Sequence, residues 1–376
     1  MEAQVAQPAA QGQMNIIIPA TSLPQPPGFA HTNHIIAYRG ITPAHTTPQG
    51  LVVSQVRAAY GLGTANGGGA IAIIDAYDYG TALADFNGFS AQFGLPQETS
   101  TNATASSNSV FQVVYAGGRK PRGDAGWALE AAMDIEWAHA MAPGAKIYLV
   151  EAATNSLANL IQAENVAKAL VGVKQVSNSW GSSESSSLYS SYDSAFTQSG
   201  VAFFASGGDS GGTKSWPSLS KNVVACGGTT LNMQGNNYLG ETAWTSTGCG
   251  ISAYEPRPGF QSVVSGIVGS FRGADDISAV ADPNTGASVY DTTTYQGHSG
   301  WWVVGGTSLS CPLLAGMANA SGASRASSDA QNTAFYAKLG TASFHDITSG
   351  TAGAYSAGAG FDLPTGVGTP NGLSGF

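Results

Sequence analysis

Two serines and one pair of acids carry the patterns that could do chemistry. Ser210 stands in GDSGG (208–212), which satisfies the G-x-S-x-G of a nucleophile on a strand-to-helix elbow. An elbow needs a helix directly after the serine, whereas GGTKSWPSLS (211–220) reads as loop. Ser308 stands in GTSLSCP (306–312), after the apolar run WWVV (301–304). A strand that delivers a serine to the first turn of a helix places it beside free N–H groups and the positive end of the helix dipole. That setting suits a developing oxyanion. The same pattern also describes an ordinary Ser/Thr helix cap.

A nucleophilic serine needs a base. The histidines are His31, His34, His45, His139, His298 and His345. None opens a helix in a His-Gly motif. His31, His34 and His45 lie in the proline-rich opening, and His139 falls late in a helix, where a structural role is expected. The base must be another group. Glu130 and Asp134, in WALEAAMDIEWAHAMAP (127–143), are four residues apart and share one helix face. Two adjacent carboxylates disfavour joint ionisation, which raises one pKa. Such pairs commonly form a solvated acidic edge, but this helix is largely apolar.

From about Val52 onward, apolar runs alternate with helical stretches. Strands are expected at 70–77, 110–116, 145–153, 173–180, 201–206 and 301–304. Helices are expected at 80–93, 126–141, 156–170 and 186–198, and after Ser308. Asp124 should cap the helix at 126–141, and Pro143 lies just past its end. This alternation specifies an α/β fold, a parallel sheet with helices on both faces. Residues 207–300, rich in Gly, Ser, Thr and Asn, should be long loops with a few short strands, and the last 30 residues nearly all loop. Residues 1–50 hold 7 of the 17 prolines and two charged residues, and read as an extended arm or linker.

The chain has 376 residues, with 14 Lys and Arg against 23 Asp and Glu, a net charge of −9. So few basic residues exclude a nucleic-acid binder. A 43% hydrophobic content excludes a disordered acidic chain. No apolar run approaches the ~18 residues of a membrane span. At pH 3 the residual charge would be roughly +20, modest for this length, which suits a protein exposed to acid and equally a Ser/Gly/Ala-rich extracellular one. Cys226, Cys249 and Cys311 show no metal spacing; Cys226 with Cys249 is a possible disulfide. The opening MEAQVAQPAAQGQMN lacks the apolar core of a signal peptide, so the chain reads as a processed or recombinant form, or as one not exported by that route.

Six motifs occur in order: the ExxxD helix at 130–134, SWG at 179–181, SGGDSG at 206–211, DISAVADPNTG at 276–286, GTSxxxP at 306–312, and a C-terminal DI…GxGxD loop at 346–362. Together they resemble the sedolisin family of serine-carboxyl peptidases, acid-acting relatives of subtilisin. The resemblance spans about residue 52 to 376. It implies a subtilisin-like, mostly parallel sheet in a single catalytic domain at 51–376, with 1–50 a remnant of a linker to a prodomain. It implies Ser308 as nucleophile, Glu130 as its base and later acid, Asp134 orienting Glu130, and Asp209 as oxyanion donor. SWG would pair with extended peptide, and no catalytic role falls to 276–286. GGTS stands where the family often has SGTS. Asp75, where some relatives carry Glu, could extend the carboxylate network toward Asp134.

The implied function is acid-optimum endopeptidase action on proteins or peptides through an acyl-enzyme. Its rivals are a non-catalytic peptide-binding relative and an esterase using Ser210. The resemblance further implies a secreted monomer that meets its own prodomain before maturation. One structural Ca²⁺ is expected. Asp346 and Asp362 can supply carboxylates, and Ile347, Gly358 and Gly360 backbone carbonyls, the hard oxygen donors such an ion takes.

Overall fold

The structure, a computed structural model, describes residues 14–376 and the backbone of a two-residue strand at Gln4–Val5. The rest of the first 13 residues, part of the expected arm, lie outside the described residues. From Asn15 the chain is built into the fold. Strands β1 (Asn15–Ile18), β2 (His31–Thr32) and β3 (Ile35–Tyr38) precede the first helix, α1 (Val53–Ala59).

The core then follows the expected alternation: β4 (Ala70–Ala76), α2 (Ala82–Phe93), β5 (Phe111–Tyr115), α3 (Ala125–Met141), β6 (Lys146–Ala152), α4 (Leu157–Ala167), β7 (Val173–Asn178), β8 (Trp180–Ser183) and β9 (Ala202–Ser206). After it come β10 (Val224–Gln234), β11 (Asn237–Ala243), β12 (Ile277–Val280), β13 (Ala287–Tyr295), β14 (His298–Gly305), α5 (Thr307–Ala320) and α6 (Ser328–Tyr336).

The main sheet runs β11-β10-β9-β7-β4-β6-β5, with β12 also on β10. Only the β10–β11 pair is antiparallel. All seven residues of β4 are buried, as a near-continuous apolar run in a covered parallel strand requires. Its side chains alternate between two cores: Ile71 and Ile73 join α3 and α5 on one face, Ala72 and Ile74 join α4 on the other. Asp124 caps α3 by accepting from the N–H groups of Gly126 and Trp127. Every residue of α3 from Gly126 to Met141 is buried, so it is enclosed on all sides.

Five expectations are corrected. Residues 207–300 hold β10, of 11 residues, and β13, of 9, not a few short strands among loops. Strand 173–180 breaks at Ser179, and the helix expected at 186–198 is an α-helix only over Ser186–Tyr192, continuing as a 3-10 turn. Cys226 and Cys249 form no disulfide; all three cysteines are buried and free, and Cys226 neighbours Cys311 instead. The opening stretch is more than an extended arm from residue 14 on. Gln4–Val5, β1, β3, β14 and β13 form a five-stranded antiparallel sheet.

Candidate active site

The parallel strands β4, β7 and β9 deliver Asp75, Ser179 and Asp209 at or just beyond their C-terminal ends, where open α/β sheets place their ligands. Helix α5 brings Ser308 to the same place, fully buried. Gly306 caps α5 at φ 113°, open to glycine, and a Cβ there would lie 2.1 Å from the carbonyl oxygen of Asn33 and 2.5 Å from Asp209 Oδ2. Substitution at Gly306 would fill the space between Asn33 and Asp209 at the start of α5.

The proline of GTSxxxP has a physical role. Pro312 has no N–H to donate to the carbonyl four residues earlier, that of Ser308. That carbonyl accepts from Ser179 Oγ instead, at 3.2 Å. In return Ser308 Oγ donates to the Ser179 carbonyl at 3.1 Å. Helix start and strand break are thereby tied together.

Asp209 sits on the first turn of α5. Its Oδ1 accepts from Thr307 N–H at 2.8 Å and Thr307 Oγ1 at 2.9 Å. Its Oδ2 is buried without a partner. Burial pushes the Asp209 pKa well above the usual carboxylate range; the Thr307 bonds oppose this and the charge of Glu130 adds to it. Glu130 and Asp134 face the site from α3, both fully buried. Asp134 is raised by burial, then by the charges of Asp75 and Glu130, with the Ser179 hydroxyl pulling the other way. Asp75 is likewise raised by burial and then by Glu130 and Glu151. The expected network Asp75–Asp134–Glu130 is thus one electrostatic unit.

Sequence reasoning missed Asn33 and His34. His34 Nδ1 lies 2.5 Å from Glu130 Oε2, leaving Glu130 Oε1 and His34 Nε2 buried without partners. Ser308 N–H donates to the Asn33 carbonyl and Asn33 N–H to Ser308 Oγ, both at 3.1 Å. Only the chain's return through the cleft reveals them, since HTNH matches no motif. His139 is structural as expected, with Nε2 on the Pro96 carbonyl at 2.9 Å. Ser210 is exposed in a turn, its carbonyl accepting from Thr213 N–H. In 276–286, Asp276 accepts from Arg272 Nη1 at 2.8 Å and Asp282 caps the turn at Asn284.

In the C-terminal loop, Asp362 accepts from Gly358 N–H at 2.9 Å and Asp346 from Gly360 N–H at 3.1 Å. Asp362 is pushed up to about 6, chiefly by burial, with the charge of Asp346 contributing. Two carboxylates, on a loop offering only oxygen donors, fit a hard cation. Among the described residues no cluster of three or more His, Cys, Asp or Glu is disposed to hold a metal. No helix among them is long and apolar enough to cross a membrane.

The subtilase family model matches residues 123–342. Kumamolisin of Bacillus sp. (strain MN-32) is 33% identical over 332 residues, 78% of this chain and 58% of that protein. Sedolisin of Pseudomonas sp. (strain 101) is 30% identical over 327 residues, 76% of this chain and 54% of that protein. The chain therefore spans somewhat over half the length of these relatives. A solved Pseudomonas sedolisin, described as a serine-carboxyl proteinase complexed with two molecules of pseudo-iodotyrostatin, superposes with a TM-score of 0.71 at 28% identity, covering 86% of this chain and 96% of that one. Sphericase, 19% identical with a TM-score of 0.52, shares the fold. On the match across the ExxxD helix and the GTSxxxP turn, the chain belongs to the subtilase family, of the sedolisin kind.

Proposed function

We propose that this protein is an acid-acting serine-carboxyl endopeptidase, secreted and acting on proteins or peptides. One observation carries the reading: a peptide carbonyl, that of Asn33, rests on Ser308 N–H beside the unpartnered Asp209 Oδ2, next to a buried unit of Glu130, Asp134 and Asp75. Ser308 Oγ attacks such a carbonyl carbon, and Glu130 takes its proton. Ser308 N–H and neutral Asp209 donate to the oxyanion. Glu130 then protonates the leaving amine, and water completes hydrolysis of the acyl-enzyme. Asp134 positions Glu130, and Asp75 extends the unit. A neutral Asp209 is required, because an ionised carboxylate has no proton to donate. Its raised pKa supports that state in acid.

The test is casein hydrolysis near pH 4. Ser308→Ala and Glu130→Ala should each lose several orders of magnitude, while Ser210→Ala keeps at least a tenth of the activity. Near-normal turnover by Ser308→Ala would overturn the assignment, and loss in Ser210→Ala would favour the esterase-type nucleophile.

We infer also that the C-terminal loop binds one structural Ca²⁺ through Asp346, Asp362 and the carbonyls of Ile347, Gly358 and Gly360. The ion would pin the loop and take no part in the chemistry. At a hundred times its dissociation constant it would stabilise the fold by roughly 2.7 kcal/mol. Chelation at pH 6 should lower the melting temperature and speed self-digestion. An unchanged melting temperature, with no calcium by elemental analysis, removes the ion from this account.

A further inference from the structure

Exposed apolar side chains are scattered over most of this molecule but gathered in one place. Of the eight large hydrophobic residues exposed among the described residues, Tyr254 (48%), Val263 (70%), Ile267 (48%) and Phe271 (41%) fall between 254 and 271. Single exposed apolar residues are ordinary, whereas a gathering of them marks an interaction surface. Arg257 is the single charge from Pro256 to Phe271, and its Nη1 donates to the Gly269 carbonyl. A charged partner would find little to pair with there, and an anionic lipid surface calls for several basic residues. The surface fits an apolar partner.

The stretch is built to stay in place. Strand Gly250–Pro256 pairs antiparallel with strand Phe271–Ala274, Pro256 opposite Phe271. Between them a 3-10 turn, Gly259–Val264, runs on into a short helix, Ser265–Val268. Phe260, Val264 and Val268 are buried beneath it, leaving Val263 and Ile267, four residues apart, outside. Gln261 is buried too: its Nε2 donates to the Gly273 carbonyl at 2.7 Å and its Oε1 accepts from Gly273 N–H at 3.0 Å. Side chains presented from such a support lose little freedom when covered.

This surface continues the wall of the cleft. The edge of β8 beside Ser308 takes an antiparallel strand, as β2 shows with His31 opposite Gly181 and Thr32 opposite Trp180. A substrate on that edge in place of β2 runs the same way, so its amino-terminal part leads past Ser183 to Glu184. The Glu184 carboxyl oxygens accept from Tyr189 OH at 2.7 Å, from Ala253 N–H at 3.2 Å and from Ser252 Oγ. Tyr189 in turn packs on Tyr254, their ring centroids 6.4 Å apart. The end of the substrate edge is thus bonded directly to the strand that carries Tyr254. We propose, resting on the peptidase reading above, that Tyr254, Val263, Ile267 and Phe271 form a docking site for apolar stretches of unfolded protein substrates, on the amino-terminal side of the bond to be cut. Ser179 to Glu184 is five residues and Ser252 to Pro256 four more, at most about 30 Å of extended chain. A short peptide cannot span that path, so the site lowers KM for long chains and leaves the chemistry untouched.

Native enzyme is offered an octapeptide that spans a bond it cuts in casein, bare or preceded by about twelve further residues. In one extended version these are Leu, Val and Phe alternating with Ser; in the other they are Ser and Gly only. KM for the apolar version should be at least about tenfold below that for the polar one, with kcat equal. In the triple variant Val263→Ser, Ile267→Ser, Phe271→Ser the ratio should fall below about threefold. The bare octapeptide should still be cut at the native rate, which also shows that the variant is folded. Equal KM values for the two versions in native enzyme, or a ratio that survives the triple variant, overturn the proposal. A native dimer by sedimentation that is monomeric in the triple variant would make the surface a contact between copies and overturn it as well. Cosedimentation with phosphatidylcholine vesicles through the same residues would do so in favour of a membrane. No cleavage of casein or of any peptide, and no labelling of Ser308 by a serine-directed inhibitor, overturn the peptidase reading itself.

Discussion

Asp209 shows how one carboxyl can set the upper limit of a pH profile. It can donate to an oxyanion only while protonated, and burial holds its pKa well above the usual range. Glu130 must be ionised to accept a proton. Activity should therefore peak in acid, where Asp209 still carries its proton, and fall as rising pH removes it. Asp209→Asn offers an amide donor that does not titrate. This variant should turn over more slowly, by about 10²–10³ if the donor is poorly placed, and its falling limb should move up or vanish. A falling limb unchanged in Asp209→Asn would assign that limb to another group. A rising limb near pH 6.5 that disappears in His34→Ala would make His34 the base. Glu130, Asp134, Asp209 and Ser308 could be picked out from motif order because each motif is local, and the fold brings them to one place. The contact of His34 with Glu130 spans 96 residues and leaves no local trace.

The crossing of α3 and α5 fixes the distance between Glu130 and Ser308. The two helices are tightly packed at Gly316, where a Cβ would lie 2.7 Å from the Met141 Cβ and 2.9 Å from the Ala138 carbonyl. Gly316→Val should push the helices apart and shift Ser308 relative to Glu130. A misplacement of ~1 Å can cost about 100-fold in rate. We expect kcat to fall far more than KM rises, with the fold retained by circular dichroism; an unchanged kcat would show that the crossing tolerates the extra bulk. Helix α3 was legible because its apolar run, its cap at Asp124 and its stop near Pro143 agree. The hairpin of β10 and β11 was not, because its outer half reads LNMQGNNYLGETA, where polar residues face solvent and mimic loop. Helix α6 was missed for a related reason. Its buried face includes Gln331 and Asn332, and Asn332 Nδ2 is satisfied by the Val223 carbonyl at 3.0 Å, so no apolar stripe marks it.

Across the whole molecule, buried acids dominate the pH dependence of stability. Glu151 and Glu164 are pushed up to about 8 and Asp291 to about 7, each chiefly by burial. Asp75, Asp134, Glu136, Asp209 and Asp275 are raised in the same direction for the same first cause. The folded state of such a group keeps its proton where the unfolded chain has lost it. Its contribution is complete below pH ~4 and is lost as pH rises through the folded value, by at most about 1.4 kcal/mol per unit and per group. His139, lowered to about 4 by burial, works against this between its unfolded and folded values, where acid favours the unfolded chain. The carboxyls outnumber it and their window runs from about pH 4 to 8. Melting in chelator, to remove the opposing demand of a calcium loop for ionised carboxylates, should therefore be highest near pH 4–5. It should fall by at least about 5 °C on going to pH 8. Only 10% of residues are charged, so little self-repulsion builds up in acid to reverse the trend. A melting temperature that climbs steadily from pH 4 to 8 would mean that these acids are ionised in the folded protein. Asp209 would then have no proton to give an oxyanion.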